Sequence, residues 1–269
     1  MKVGFIGYGN MGSAIVNRVI EENIVDTKEL YISDLNKDKT IDIRQKYDIN
    51  IFVDNMELIK NNLDILFLCV KPQNLEETIN SIKNIINDNV LIVSIVAGKS
   101  IDYIEKLFEK KIKIVRVMPN TPALIGEGIS AICTNELANN EENNKTYDLV
   151  LKIISSIGDV FNVEEKYFDI ITQISGASPA FIFMVIEAMV DGAVLCGMPR
   201  DMAYKFASKA VKGSGALAYE KKCNPGILKD MVTSPSGTTI EGVKVLEENA
   251  VRGAFMNAII ESYKKSKNL

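Results

Sequence analysis

A glycine-rich segment near the start of the chain has the spacing of a dinucleotide-binding loop. Residues 7–12 read GYGNMG, which fits the pattern G-x-G-x-x-G. Gly7 would permit a tight turn, Gly9 would let the backbone approach a pyrophosphate, and Gly12 would let a helix pack on a strand. The N–H groups at the start of the next helix, at Asn10 and Met11, would face the phosphates. The alternative is a glycine-rich turn with no ligand.

An acidic residue follows this loop at the distance that dinucleotide sites use. Asp34 comes about 20 residues after Gly12, and a carboxylate there accepts hydrogen bonds from ribose hydroxyls and repels a 2′-phosphate. Leu35 supplies no cation for such a phosphate, although Lys37 and Lys39 lie close in the sequence. We therefore expect NAD(P)H as the cofactor, with NADH slightly preferred. The alternative is that Asp34 only caps the next helix.

The chain contains no histidine, which excludes several kinds of chemistry. A Ser-His-Asp triad, a Cys-His dyad, a histidine general base and a histidine zinc site are all impossible. We expect no metal site. An enzyme built from this sequence must move its proton with another group, or leave the difficult step to a cofactor.

The elements that would position these residues alternate along the first part of the chain. Short, continuously apolar runs predict strands, and helical spacing follows the glycine loop in residues 11–22. The predicted strands are residues 3–6, 30–32, 65–70, 90–95 and 112–117, with 129–133 as a further candidate. Apolar strands separated by helices indicate a parallel sheet that is covered on both faces. The sequence thus predicts an α/β fold with a doubly wound, Rossmann-type domain over residues 1–164.

The last third of the chain predicts helices only. Residues 181–196, 202–219 and 251–263 have helical spacing, so we expect an all-helical domain over residues 165–269. The first of these helices is apolar on nearly every side, and such a helix must be covered by its own domain or by a partner chain. The short polar run at residues 139–144 predicts a solvated loop that leads into a helix.

Composition excludes nucleic acid and membrane partners. Lys and Arg number 31 against 35 Asp and Glu, for a net charge of -4, and the only basic cluster is residues 264–267 at the C-terminal end. Residues 180–196 come closest to a membrane span but contain Glu187 and Asp191, so we expect no span. The four cysteines form no C-x-x-C pair. They are typical of buried thiols in a reducing, cytoplasmic protein.

Five later segments resemble the pyrroline-5-carboxylate reductases. They are residues 67–72 (FLCVKP), 94–98 (SIVAG), 116–122 (RVMPNTP), 175–180 (SGASPA) and 225–242 (PGILKDMVTSPSGTTIEG). The resemblance runs from Val3 to about Tyr263, with the motifs in the same order. Ser178 and Ser236 stand where this family usually has glycine.

The resemblance implies the last step of proline biosynthesis, in which 1-pyrroline-5-carboxylate is reduced to L-proline by hydride transfer from NAD(P)H. It also implies a homodimer through interlocked helical domains, or a larger homo-oligomer. Two alternatives stay open. One is a related reductase for a different cyclic imine or a keto substrate, which Ser178 and Ser236 motivate. The other is a catalytically inactive regulator that binds NAD(P)H.

The resemblance also assigns site residues. Thr239 would be the catalytic residue, with its hydroxyl facing the imine nitrogen. The implied substrate-binding residues are Glu165, Ser234, Ser236, Gly237, Thr238 and Thr239. To Gly7, Gly9, Asn10, Met11, Gly12 and Asp34, identified above from their spacing, the resemblance adds as cofactor-binding residues Asn55, Cys69, Val70, Lys71, Pro72, Ala97, Gly98 and Asn120. Residues 236–239 also precede a helical pattern, so their N–H groups suit a carboxylate. The alternative is a plain N-cap, where Ser and Thr are favoured.

Overall fold

The computed structural model describes residues 1–139 and 145–267. Most of the polar run predicted as a loop, residues 140–144, lies outside these ranges. The chain forms two compact units, one built from Met1–Gly176 and one from Ala177–Lys265. The boundary expected from the sequence, between residues 164 and 165, stays a prediction.

The first unit is built on one eight-stranded sheet. Its strands are β1 (Val3–Ile6), β2 (Leu30–Ser33), β3 (Asn50–Phe52), β4 (Ile65–Leu68), β5 (Leu91–Ser94), β6 (Lys113–Met118), β7 (Gly128–Thr134) and β8 (Gly158–Asn162). The spatial order is β3-β2-β1-β4-β5-β6-β7-β8, and every neighbouring pair is parallel except β6 and β7. The first six strands have the order of dinucleotide-binding sheets, which confirms the Rossmann-type prediction.

Helices cover both faces of this sheet. They are α1 (Asn10–Glu21), α2 (Ile41–Lys46), α3 (Asn55–Ile59), α4 (Leu75–Ile82), α5 (Ile101–Phe108), α6 (Glu136–Asn139), α7 (Lys145–Ser155) and α8 (Phe168–Ile171). The apolar faces of α1 and α7 pack on one side of the sheet, and those of α3, α4 and α5 on the other. Strands β1, β2, β4 and β5 are buried at every residue, as their continuous apolar sequences predict.

The structure adds two strands that the sequence did not indicate. Both β3 and β8 lie at sheet edges, and neither contains a fully buried residue. An edge strand of this kind needs no apolar run, so hydrophobic periodicity carries no signal for it. The further strand expected at residues 129–133 is confirmed as β7.

The second unit contains five helices. They are α9 (Ser178–Leu195), α10 (Arg200–Lys221), α11 (Pro225–Met231), α12 (Thr238–Glu248) and α13 (Val251–Ser266), and a π-helical turn, Thr172–Ala177, comes just before α9. Helices α9 and α10 pack through Val190, Ala203 and Ala207. Most other apolar side chains of this unit are at least partly exposed in a single chain.

The structure differs from the sequence-based expectations in one helix and in three cysteines. The stretch Glu165–Leu195 is long and apolar enough to cross a membrane by length and composition, whereas the sequence predicted no membrane span.

The cysteines were expected to be buried, but only Cys133 is. Cys69 and Cys223 are half-buried and Cys196 is exposed, and all four are free thiols.

Candidate functional site

The glycine loop has two glycines that the fold itself requires and one that it does not. Gly7 has φ +99°, and a Cβ there would come within 2.6 Å of the Cys69 carbonyl oxygen. A Cβ on Gly12 would overlap the carbonyl oxygen of Gly7. A Cβ on Gly9 would meet no protein atom within 4 Å. The backbone at Gly9 is therefore open to a ligand, as a pyrophosphate-binding loop requires.

Helix α1 begins directly after this loop with its donors available. Gly9 is the N-cap residue, and no side-chain hydrogen bond caps this helix end, which lies wholly in the described part of the chain. No acidic residue lies in the first turn. The N–H groups at Asn10 and Met11 and the positive end of the helix dipole therefore suit a phosphate. These residues fit a dinucleotide.

Asp34 holds the glycine loop in place. Its Oδ2 accepts a hydrogen bond from Tyr8 N at 2.8 Å, and its Oδ1 accepts one from Asn36 N at 2.9 Å. The Lys39 ammonium lies 3.7 Å from Oδ2. The carboxylate is thus fixed between the loop after β1 and the turn after β2, where a ribose would lie.

A hydrogen bond from a buried hydroxyl group positions the Asn55 side chain. Ser33, which is fully buried at the end of β2, donates a hydrogen bond to Asn55 Oδ1 at 2.7 Å. Asn55 opens helix α3. With its oxygen so engaged, the side chain has its amide nitrogen left as a donor for a ligand.

The residues after β4 and β5 lie at the same carboxyl edge of the sheet. Cys69, Val70, Lys71 and Pro72 follow β4, and the Cys69 N–H donates to the Ile6 carbonyl at 2.8 Å. Burial raises the pKa of the Cys69 thiol far above its usual value. The Cys69 side chain packs against the core cluster that contains β1 and α1. Ala97 and Gly98 follow β5, and Gly98 has φ +72°.

The side-chain amide of Asn120, which follows β6, forms hydrogen bonds within the protein. Its Nδ2 donates to the Ser175 carbonyl at 3.0 Å, and its Oδ1 accepts from Ile129 N at 2.9 Å. The residue is buried. The side-chain amide of Asn120 therefore holds the loop at this edge, and a contact with the cofactor would have to come from its backbone.

Glu165 lies in the first unit and binds two protein donors. Its Oε1 accepts from Ile101 N and from Arg116 Nη1, each at 2.8 Å. Arg116 is buried in β6, with its guanidinium carbon 4.5 Å from the centre of the Phe168 ring. Arg116 was not among the site residues predicted from the sequence, although a charged residue in the middle of a mostly apolar strand was a visible signal.

The other substrate residues expected from the sequence lie together in the second unit. Helix α12 begins at Thr238, with Gly237 as N-cap and no side-chain hydrogen bond at this described end. Thr238 and Thr239 are exposed and occupy the first turn, so neither is the N-cap. Ser236 has φ +58°, in the left-handed region, and Gly237 N donates to the Ser234 carbonyl at 3.1 Å. This end of α12 can receive a carboxylate and offers two hydroxyls.

Among residues 1–139 and 145–267, no three Cys, Asp or Glu side chains come together in a way that would hold a metal ion.

Two family models match the chain. Residues 2–98 match the model described as NADP oxidoreductase, coenzyme F420-dependent. Residues 165–269 match the model described as pyrroline-5-carboxylate reductase dimerisation. The first covers the glycine loop and the loops after β2, β4 and β5, and the second covers all five helices of the second unit.

Full-length relatives agree with both matches. A pyrroline-5-carboxylate reductase of Methanosarcina acetivorans is 42% identical over 268 residues, covering 100% of this chain and 97% of the relative. The enzyme of that name from Escherichia coli is 40% identical, covering 100% and 98%. A crystal structure of Plasmodium falciparum pyrroline carboxylate reductase with NADP bound matches with a TM-score of 0.87 and 32% identity, covering 100% and 97% of the two chains.

Proposed function

This chain belongs to the pyrroline-5-carboxylate reductase family, and from that membership we propose how its residues share the work of the reaction. It is an NAD(P)H-dependent oxidoreductase that reduces 1-pyrroline-5-carboxylate, and the product is L-proline. The nicotinamide cofactor supplies the hydride when bound. The protein has to bind, orient and protonate.

The lack of histidine suits this reaction. A protonated cyclic imine is already a strong electrophile, so the protein mainly has to hold it in the correct geometry. Orientation alone can lower a barrier by ~7–11 kcal/mol. In our proposal the carboxylate of the imine binds the N-terminus of α12, and the Thr239 hydroxyl donates a hydrogen bond to the nitrogen of the neutral imine and accepts one from the N–H of the protonated imine. Thr238, Ser234 and Ser236 line the same loop.

We propose that NADH is slightly preferred over NADPH. Asp34 supports this preference, because two backbone N–H groups hold its carboxylate, and the ribose 2′-oxygen of a bound cofactor would lie beside it. A fixed negative charge there repels a 2′-phosphate. Lys39 limits the effect, because its ammonium 3.7 Å from Asp34 offsets part of that charge. The preference is therefore small, and NADPH remains usable.

The chain carries a dimerisation domain. We propose that it assembles through this domain as a homodimer, or as a larger homo-oligomer built from such dimers. Partly exposed apolar side chains on α9 and α10 support this assembly. We further propose a cytoplasmic location, supported by four free cysteines.

One observation carries the proposed division of work. Helices α1 and α12 each begin after a glycine N-cap with no side-chain hydrogen bond at that end; α1 follows the glycine loop, and α12 carries two exposed threonines in its first turn. The first suits a pyrophosphate and the second suits the carboxylate of a small substrate. The related-reductase alternative rests on Ser178 and Ser236, which stand where the family usually has glycine; Ser236 adds its side chain to this loop at φ +58°.

The test is the loss of NADH absorbance, and separately of NADPH absorbance, when 1-pyrroline-5-carboxylate is added to the purified protein. We expect both to be oxidised, NADH with the higher kcat/KM. Asp34→Asn removes the charge and keeps an acceptor for the loop, so the NADPH/NADH ratio of kcat/KM should rise about fivefold. Asp38→Asn, in the same turn, should leave the ratio unchanged.

Three outcomes would count against the proposal. Oxidation of neither cofactor, with NADH still bound, would point to another imine or to an inactive regulator. Oxidation of NADPH alone would contradict the proposed preference. An unchanged ratio in Asp34→Asn would leave Asp34 with only its structural hydrogen bonds.

A further inference from the structure

We propose that Glu165 is a positioning residue for the nicotinamide half of the cofactor site, acting through Ile101 and Arg116. The role rests on the proposed function and differs from the substrate contact that the family resemblance implies. Hydrogen bonds join Glu165 to Ile101 and to Arg116 within the first unit, at the carboxyl edge of the sheet.

The connection centres on one oxygen atom. Glu165 Oε1 accepts hydrogen bonds from the Ile101 backbone and from the Arg116 guanidinium, both at 2.8 Å. The Arg116 side chain is 5% exposed, whereas that of Glu165 is 33% exposed. A buried cation needs a partner that satisfies it, and Glu165 is the partner that Arg116 has. Two protein donors thus hold one oxygen of the carboxylate, although a third of the side chain is exposed.

The backbone donor belongs to the loop that follows β5. Ile101 is the first residue of α5, and Ala97 and Gly98 lie just before it. The same helix start is fixed by Ser100, whose Oγ accepts from Tyr103 N at 3.1 Å. Glu165 and Ser100 therefore hold the C-terminal end of the loop that contains Ala97 and Gly98.

The sheet order shows which part of the cofactor this loop serves. A dinucleotide crosses the sheet edge at the point where the strand order reverses, here between β1 and β4. The glycine loop and Asp34 lie on the β1–β2 side, which leaves the β4–β6 side for the nicotinamide. The loop after β5 is on that second side.

A second hydrogen bond fastens the neighbouring loop to the same segment of chain. Asn120, after β6, donates to the Ser175 carbonyl. Glu165, at one end of the segment 165–175, thus holds the loop after β5, and Ser175, at the other end, holds the loop after β6. These loops have to fit the nicotinamide closely, because hydride transfer depends on geometry. If the loss of one such bond displaces a loop, the fit is lost and the cofactor binds more weakly.

Two variants at Glu165 test this with purified full-length protein and NADH as the probe. Glu165→Ala removes the acceptor, so the dissociation constant of NADH, measured by fluorescence without imine, should rise roughly tenfold. The KM for pyrroline-5-carboxylate should stay within about twofold of wild type, since no substrate contact is lost. Glu165→Gln keeps an amide oxygen for Ile101 and Arg116 and should restore most of the NADH affinity. Glu164→Ala, at the exposed neighbouring position, is the control.

A second pair of variants avoids an unpaired Arg116, which could prevent Glu165→Ala from folding. Ile101→Pro removes the donor to Glu165 and leaves the ion pair intact. Proline is favoured at the first position of a helix, and Ser100 already has the extended backbone that precedes it, with ψ 163°. Ile101→Ala keeps the N–H and loses the same packing. We expect the proline variant alone to weaken NADH binding severalfold beyond the alanine variant.

Two results would overturn the proposal. One is a raised KM for the imine with unchanged NADH affinity in Glu165→Ala, which would make Glu165 a substrate contact. The other is equal NADH affinity in Ile101→Pro and Ile101→Ala. Both binding measurements are made without imine. A failure of the proposed function would appear separately, as absent NADH oxidation by the wild-type protein.

Discussion

At the scale of single residues, Thr239 carries the chemical part of the proposal. Its hydroxyl is exposed in the first turn of α12, and the N-cap role belongs to Gly237. If that hydroxyl assists protonation of the imine nitrogen, Thr239→Ala should lower kcat ~10²-fold or more, with unchanged NADH affinity. Thr239→Ser keeps the hydroxyl and should retain most of the rate. Steady-state kinetics with both variants decides the matter, and an undiminished kcat in Thr239→Ala would remove the residue from the mechanism.

Ser236 offers a second residue-scale prediction, this time of stability. Its φ of +58° is unfavourable for any residue with a side chain, by about 1 kcal/mol. Ser236→Gly should therefore raise the midpoint of thermal unfolding by roughly 2 °C. Ser234→Gly is the control, since Ser234 lacks a positive φ and glycine there should only lower the midpoint. Calorimetry of the two variants checks the sign, and a lower midpoint for Ser236→Gly would show that its hydroxyl contributes more than the backbone strain costs.

At the scale of elements, the sequence predicts those that are marked by an apolar run or by glycine. The glycine loop, β1 and α1 follow from residues 3–22, because a buried strand and a tight turn both leave local signals. β3 and β8 leave none, since they are edge strands with half-exposed side chains. Residues 236–239 were expected to precede the helical pattern, but α12 begins at Thr238, so Thr238 and Thr239 lie in its first turn and Gly237 is the N-cap. The position of the N-cap depends on backbone geometry, which the side chains here do not indicate.

The site shows the same division between local and distant information. The places of Gly7 and Gly12 were predictable because their neighbours in sequence define the turn. The Asn36 bond to Asp34 is local, but the Tyr8 bond to Asp34 and the Ile101 and Arg116 bonds to Glu165 join residues that are 26, 64 and 49 positions apart. Pairings of that kind depend on tertiary packing, so a spacing rule assigns the carboxylate to a site without showing what holds it there.

At the scale of the whole molecule, the second unit has too little core for a single chain. Only Val190, Ala203 and Ala207 are fully buried among its apolar residues. Phe183 is 61% exposed, Met184 is 68% exposed and Leu195 is 89% exposed. Covering apolar surface is worth ~25 cal/mol per Å², and exposed patches of this kind mark interfaces. A partner chain on these helices explains why α9 is apolar on almost every side.

The wild-type protein should therefore have a mass in solution of at least two 269-residue chains. Phe183→Asp places a charge on α9 that a partner would have to bury, so the assembly should dissociate or weaken at micromolar concentration. Ile85→Asp, at a half-exposed apolar position of the first unit, should leave the mass unchanged. Sedimentation velocity measures both, and NADH binding by the Phe183→Asp protein would show that its first unit stays folded. A monomeric wild type would contradict the proposed assembly, and would leave the apolar surface of α9 open to a membrane or to another protein.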